Sequence, residues 1–285
     1  MSGATLSIGG LHLRLEGGDS VSMALSLPGF GAFISEGDGM TLVMDATINM
    51  PECRVLHRFS VVDGREECSF MVDDDNVYYY TYSGGGTLRI DPRTPDCAEC
   101  SPMQSPDKLR FALWLAYCMM GASHGRLPIH SSSVVHRGRA VLCLGESGTG
   151  KSTHTRLWLE NIPHCHLLND DSPILAVEDG TVSVYGSPWS GKTHCYRQER
   201  YPVAALLRLS QRPENTIRLL PIVEAFTALQ PSLPPAMAHD GRTLDMLVNF
   251  SSQVISATPV YHLGCRPDAE AAHLSHNTIY GNDND

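Results

Sequence analysis

The sequence predicts an α/β protein with two parts: an antiparallel β-rich domain over residues 1–105 and an α/β domain over residues 106–285. Three observations lead there. Short apolar runs separated by glycine, aspartate and asparagine fill the N-terminal part. A proline-rich stretch then interrupts all periodicity. Beyond it, an apolar run, a glycine-rich loop and a helix-forming segment follow one another without a gap.

Each element has its own signal. Leu11, Leu13 and Leu15 alternate with His12, Arg14 and Glu16, which is the period of a half-buried strand. Met40–Met44, Val55–Phe59 and Val77–Tyr82 are further strand-like runs, and GGD, EGDG, VDGR, DDDN and SGGG supply turns between them. Strands at this spacing suggest an antiparallel sheet or small barrel. The run Tyr78–Tyr80 reads as aromatics packed in a sheet, with a binding stripe as the alternative. Pro92, Pro95, Pro102 and Pro106 disfavour regular structure between Ile90 and Pro106, so this stretch reads as a linker or exposed loop. Asp107 to His124 then reads as a helix, with Leu109, Leu113, Tyr117 and Met120 on one face. The domain boundary is placed near residue 105.

The second domain opens with Ser132–Val135, a turn at HRGR, and a fully apolar strand at Ala140–Leu144. Strand-like runs follow at His166–Leu168, Ile174–Val177, Thr181–Tyr185, Ala204–Ser210 and Thr216–Leu220. The tail GNDND after Tyr280 reads as disordered.

Composition narrows the function. Apolar residues make up 42% and charged residues 18%, values of an ordinary globular protein. A net charge of −10 argues against nucleic acid or an anionic membrane as partner. No apolar run is long enough to cross a membrane, and MSGATLSIGG lacks the basic and apolar regions of a signal peptide, so the expected compartment is the cytoplasm. Of the nine cysteines, Cys118, Cys143 and Cys165 read as small buried hydrophobes. Cys97 and Cys100 form a lone CxxC with no second pair at zinc-site spacing.

The strongest chemical signal is Gly145-Glu146-Ser147-Gly148-Thr149-Gly150-Lys151-Ser152, followed by Thr153. It matches G-x(4)-G-K-[ST] between an apolar strand and a helix. Glycines let the backbone curl until its N–H groups converge on phosphate oxygens, and the helix adds its positive N-terminal end. Lys151 suits the β- and γ-phosphates of ATP, and the Ser152 hydroxyl is a hard oxygen ligand for Mg²⁺. Asp170 and Asp171 end a short apolar run. Two carboxylates beside such a loop can divide the roles of metal ligand and proton acceptor. His130 opens the preceding strand, as a phosphate-orienting group or as a strand-end histidine satisfied by a neighbour. Gly186 to Arg197 reads either as a lid over substrate or as an exposed connector.

IHSSSVV, RAVLCLGESGTGKST and LLNDDSPIL together resemble the C-terminal catalytic domain of the HPr kinase/phosphorylase family, over about residues 107–266. GSPWSGKTHCYR and YPVAALLRLSQRPENTIRLLPIVEAF are similar to the divergent HPr kinase-related proteins. The resemblance implies a P-loop fold shared with phosphoenolpyruvate carboxykinase, and residues 1–105 do not resemble the family's regulatory domain. It places the family's histidine on His130, phosphate binding on Gly145–Thr153, the metal on Ser152 and Asp171, and the proton-accepting carboxylate on Asp170. The late arginine falls on Arg218 in NTIRLLP. VSVYGSPWSGK offers no glutamate where the family places a further metal ligand.

The implied activity is an ATP- and Mg²⁺-dependent kinase whose acceptor is a serine-type hydroxyl in a protein, a peptide or free serine. Related kinases self-associate, so a homo-oligomer is part of the same expectation. Two alternatives stay open: a carboxykinase-like enzyme acting on a small keto acid, and a module that binds ATP without transferring phosphate.

Overall fold

A computed structural model describes residues 3–61, 64 and 66–281, and most of the predicted tail GNDND lies outside the described residues. The chain is mixed α/β with two large sheets. It divides into two units. The first holds the chain up to Arg126 together with Pro235–Met246; the second holds Leu127–Pro234 and the chain from Leu247 onward. Among the described residues no helix is long and apolar enough to cross a membrane.

The first unit is built on strands β1 (Gly3–Ile8), β2 (Leu11–Glu16), β3 (Ile34–Ser35), β4 (Met40–Val43), β5 (Arg54–Val61), β6 (Glu66–Val72), β7 (Tyr78–Tyr82), β8 (Thr87–Ile90) and β9 (Cys97–Cys100). They lie in the order β3-β1-β2-β4-β9-β8-β7-β6-β5. The sheet is not purely antiparallel, because β4 runs parallel to both β2 and β9. A parallel pair needs a crossover, and α1 (Asp19–Ser26) supplies part of the one between β2 and β4.

Two sequence readings are corrected here. The proline-rich stretch is no linker: turns fold around Pro92 and Pro95, and β9 enters the sheet between β4 and β8. The prolines flank the strand and leave its N–H groups free to pair. The division between units also falls at Arg126 and not near residue 105, because α2 (Pro106–Ala122) packs with the first sheet. The Ser105 hydroxyl caps α2 by accepting from Lys108 N (3.3 Å), and Pro106 occupies its first turn. The Tyr117 hydroxyl donates to Ile8 O (3.0 Å), and that of Tyr80 to Met119 Sδ (3.6 Å). Tyr78, Tyr79 and Tyr80 are all buried, and the Tyr80 ring stacks on Phe70 at 4.6 Å, so the run packs and is no exposed stripe. Cys97 and Cys100, three residues apart on a strand, point to opposite faces and cannot share a metal. All nine cysteines are free thiols.

The second unit contains β10 (Arg126–Pro128), β11 (Ser131–His136), β12 (Arg139–Leu144), β13 (His166–Asn169), β14 (Ile174–Glu178), β15 (Thr181–Tyr185), β16 (Arg200–Gln211), β17 (Thr216–Leu219) and β18 (Val260–Cys265). Its helices are α3 (Lys151–Asn161), α4 (Ile222–Leu229), α6 (Ala269–Tyr280) and, from Leu247 onward, α5 (Gly241–Ala257). The strands that matter for function run β13-β11-β12-β16-β18-β17. β12, β16 and β18 are mutually parallel in that order, and β11, β13 and β17 run against their neighbours. The start of β16 turns away to pair with β15.

Val141, Cys143, Leu207, Leu209 and Leu263 from the three parallel strands form one core with Trp158 of α3 and Ala272 of α6. Inside it, His154 is buried, its Nε2 accepting from Trp158 Nε1 (3.2 Å) and lying 3.0 Å from Ser275 Oγ. Burial pushes the His154 imidazole down from 6.5 to about 4. Between those values the unfolded chain binds a proton that the folded chain refuses, so stability falls as pH drops through the window. We expect wild-type stability in urea unfolding to fall by about 3 kcal/mol more than that of His154→Gln between neutral pH and about pH 4. Parallel pH profiles of the two proteins would contradict this.

Candidate functional site

Residues 145–150 connect the buried end of β12 to the start of α3. Gly148 (φ 81°) and Gly150 (φ 108°) hold left-handed conformations that let the chain turn back on itself. Thr149 N donates to Glu146 O (3.2 Å), and His154 N donates to Gly150 O (2.8 Å) to start the helix. Gly145 is buried, while Glu146, Ser147 and Gly148 face outward and Ser152 is exposed at the helix start. The Lys151 side chain folds into the loop, where its ammonium donates to Gly145 O (2.8 Å) and Glu146 O (3.2 Å). Burial pushes Lys151 below the ordinary lysine range, against the pull of the Asp171 carboxylate.

The carboxylates sit at the end of β13, one strand beyond β11. Asn169 shapes their turn: its Oδ1 accepts from Asp171 N (2.9 Å) and Ser172 N (2.9 Å). Its Nδ2 donates to Ser187 O (3.3 Å) and Trp189 O (3.4 Å). The Gly186–Trp189 part of the Gly186–Arg197 stretch is therefore a buried wall behind the turn, while Lys192, Thr193 and His194 are exposed. Gly191 lies so close that a Cβ there would meet Asp170 O at 3.1 Å and Asp171 Cβ at 3.3 Å.

Asp170 is buried, and its Oδ1 accepts from Ser132 Oγ (2.8 Å). Ser132 Oγ also lies 2.9 Å from Thr155 Oγ1, one turn along α3 from Lys151. No described residue donates to Asp170 Oδ2. Asp171 is half exposed, with Oδ1 at 3.3 Å from His130 Nδ1. His130 Nε2 lies 2.9 Å from Lys151 Nζ. The ammonium can only donate, so Nε2 accepts and Nδ1 carries the proton toward Asp171. His130 thus bridges the glycine loop and the carboxylate turn, and its backbone is held by donation to Ser232 O (2.7 Å).

The structure thus brings together His130, Lys151, Asp170, Asp171 and the whole 145–153 loop. Arg218 stands apart on β17, exposed and ion-paired with Glu224 (2.5 Å). The arginine beside the loop is Arg208: it pairs with Leu144, the residue before Gly145, and its Nη2 reaches Glu146 Oε1 (3.5 Å). Its Nη1 is buried without a hydrogen-bond partner. Sequence reasoning missed Arg208 because LLRLS reads simply as an apolar strand with one solvated cation. Ser132 and Asn169 were missed for the same reason, lying inside strand runs. The polar triplet Ser131–Ser133 within an otherwise apolar strand was the available signal.

Hard oxygens suited to Mg²⁺ are the Ser152 hydroxyl, exposed at the start of α3, and the Asp171 carboxylate beside His130. Among the described residues no group of three or more His, Cys, Asp or Glu could hold a metal alone. The set fits an ion that takes one or two protein oxygens and completes its shell with phosphate and water.

No protein-family model matches the chain, and no curated protein matches it. Among solved structures it is similar to the Hpr(Ser) kinase/phosphatase from Coxiella burnetii, at 12% identity and a TM-score of 0.32, over 53% of this chain and 93% of that one.

Loss of the Asn169 carboxamide would strand Asp171 N and Ser187 O, while Ser172 N and Trp189 O would keep the hydrogen bond between them (3.2 Å). Asn169→Ala should lower unfolding stability by about 2–4 kcal/mol. A variant within experimental error of wild type in urea unfolding would show that the turn stands without it.

Proposed function

We propose that this chain is an ATP- and Mg²⁺-dependent kinase that transfers the γ-phosphate to a serine-type hydroxyl. The observation that carries the reading is the His130 bridge. One imidazole touches the loop lysine through Nε2 and the carboxylate turn through Nδ1, joining three segments that are far apart in sequence. A glycine loop alone would bind phosphate; a carboxylate turn alone would be a solvated corner. Side by side they supply both needs of phosphoryl transfer: donors for the phosphate oxygens and an acceptor for the nucleophile's proton.

The roles follow from position. The loop N–H groups and the N-terminal end of α3 hold the phosphates. Lys151 exchanges its two carbonyl partners for phosphate oxygens, which relieves a buried ammonium of part of its desolvation cost. Arg208 turns its guanidinium from Glu146 to the same anion. Asp170, oriented through Oδ1 by Ser132, takes the acceptor hydroxyl's proton on Oδ2. The hydroxyl oxygen then forms the new bond to the γ-phosphorus as the bond to the β-phosphate oxygen breaks, and ADP leaves. Ser152 and Asp171 would hold Mg²⁺, which neutralises charge on the phosphates.

Two variants test this by transfer of a labelled γ-phosphate to serine-containing peptides and free serine. Asp170→Asn should lower kcat on the order of 10²- to 10⁴-fold and leave the ATP Kd nearly unchanged. Lys151→Ala should weaken ATP binding and transfer together. Full activity in the lysine variant would end the kinase reading. Tight ATP binding by the wild type with no transfer to any hydroxyl would make the chain a binding module.

A further inference from the structure

The glycine loop stands between two unlike flanks. On one side of β12 lie β11 and β13 with Ser132, Asp170 and Asp171; on the other lie β16 and β18. Against the loop on this second flank opens a cavity of about 350 Å³, the size class of small-ligand sites. Its floor is apolar, from Leu157, Leu209 and Cys265, and its rim is Gly148, Gln211 and Arg212.

We propose that this cavity takes the nucleoside of the nucleotide whose phosphates the loop holds, with the base on the apolar floor and the Arg212 guanidinium against its face. The inference rests on the reading of the loop as a phosphate site and adds where the rest of the ligand goes. Direction is the first argument. If the terminal phosphate faces Asp170, the chain of phosphates crosses the start of α3 and its other end emerges on the opposite flank, where the cavity is.

Side-chain state is the second argument. Arg266, at the cavity edge, is neutralised by Asp268 (2.9 Å) and Glu270 (2.8 Å). Arg212 makes no side-chain hydrogen bond or ion pair with any described residue. A planar, weakly hydrated cation left free over an apolar floor is suited to stacking on an aromatic ring. Gln211 Nε2 donates to Gly148 O (3.2 Å), which ties the rim to the loop itself. His154, buried in the wall, keeps Nδ1 without a partner while Nε2 is engaged on the core side.

The test is calorimetric binding of ATP and of inorganic tripolyphosphate to the full chain and to Arg212→Ala, with Mg²⁺ present. Wild type should bind ATP about tenfold more tightly than tripolyphosphate. Arg212→Ala should erase most of that difference and leave the tripolyphosphate Kd unchanged. Equal affinities in wild type, or equal losses for both ligands in the variant, would overturn the nucleoside site and leave the loop reading standing. Failure of both ligands to bind wild type would overturn both. As an independent readout, photolabelling with 8-azido-ATP should mark residues within 209–212 or 265–267; labelling confined to other segments would overturn the inference.

Discussion

The pairing of β12 with β16 on one side and with β11 on the other sets the position of the groups around the glycine loop. Its register places Leu144 opposite Arg208, while on the other side Leu144 faces Ser131. The same lateral row continues through His262 on β18 and Arg218 on β17. One row thus orders the chemistry: a histidine and its carboxylates beyond one edge of the loop, cations beyond the other. A slip of one residue would turn each of these side chains to the opposite face. The register is held by the core beneath it, where Cys143, Leu207 and Leu263 lock onto Trp158.

Charge is distributed against the average of the chain. The net charge is −10, yet Lys151, Arg208, Arg212 and Arg266 converge around one loop. Crowding has a measurable cost: burial, with help from Arg218, Arg212 and Arg208, holds His262 below the ordinary histidine range. Three of the four cations are occupied by internal partners, Lys151 by main-chain carbonyls, Arg208 by Glu146 and Arg266 by Asp268 and Glu270. On the kinase reading, ligand binding is therefore an exchange of partners, in which an incoming anion displaces oxygens already in place.

What was legible in the sequence were features with a local cause. Alternating leucines mark β2, a glycine pattern between an apolar run and a helix marks the loop, and the apolar face of Asp107–His124 marks α2. What was not legible depended on distant pairing. Cys97–Cys100 becomes a central strand only because β4 and β8 leave a gap for it. Arg208 matters only through its register with Leu144, and Arg218 looked equivalent because a strand pattern does not say which strand lies beside the loop. Asn169 and Ser132 are ordinary strand residues until the turn at Asp170 closes on them. No helix or strand was expected from the sequence between Pro221 and Tyr280, where α4, α5, β18 and α6 lie.

The first unit is discontinuous in the chain. Pro235–Met246 belongs to it, and returns to it after more than a hundred intervening residues: Asp240 Oδ1 accepts from the Tyr78 hydroxyl (2.6 Å), and the His239 ring stacks on His57 at 3.6 Å. During synthesis the N-terminal sheet therefore emerges well before its last segment does. A fragment cut at Arg126 would carry the whole sheet and α2, but would leave a buried tyrosine without its carboxylate and a histidine face bare.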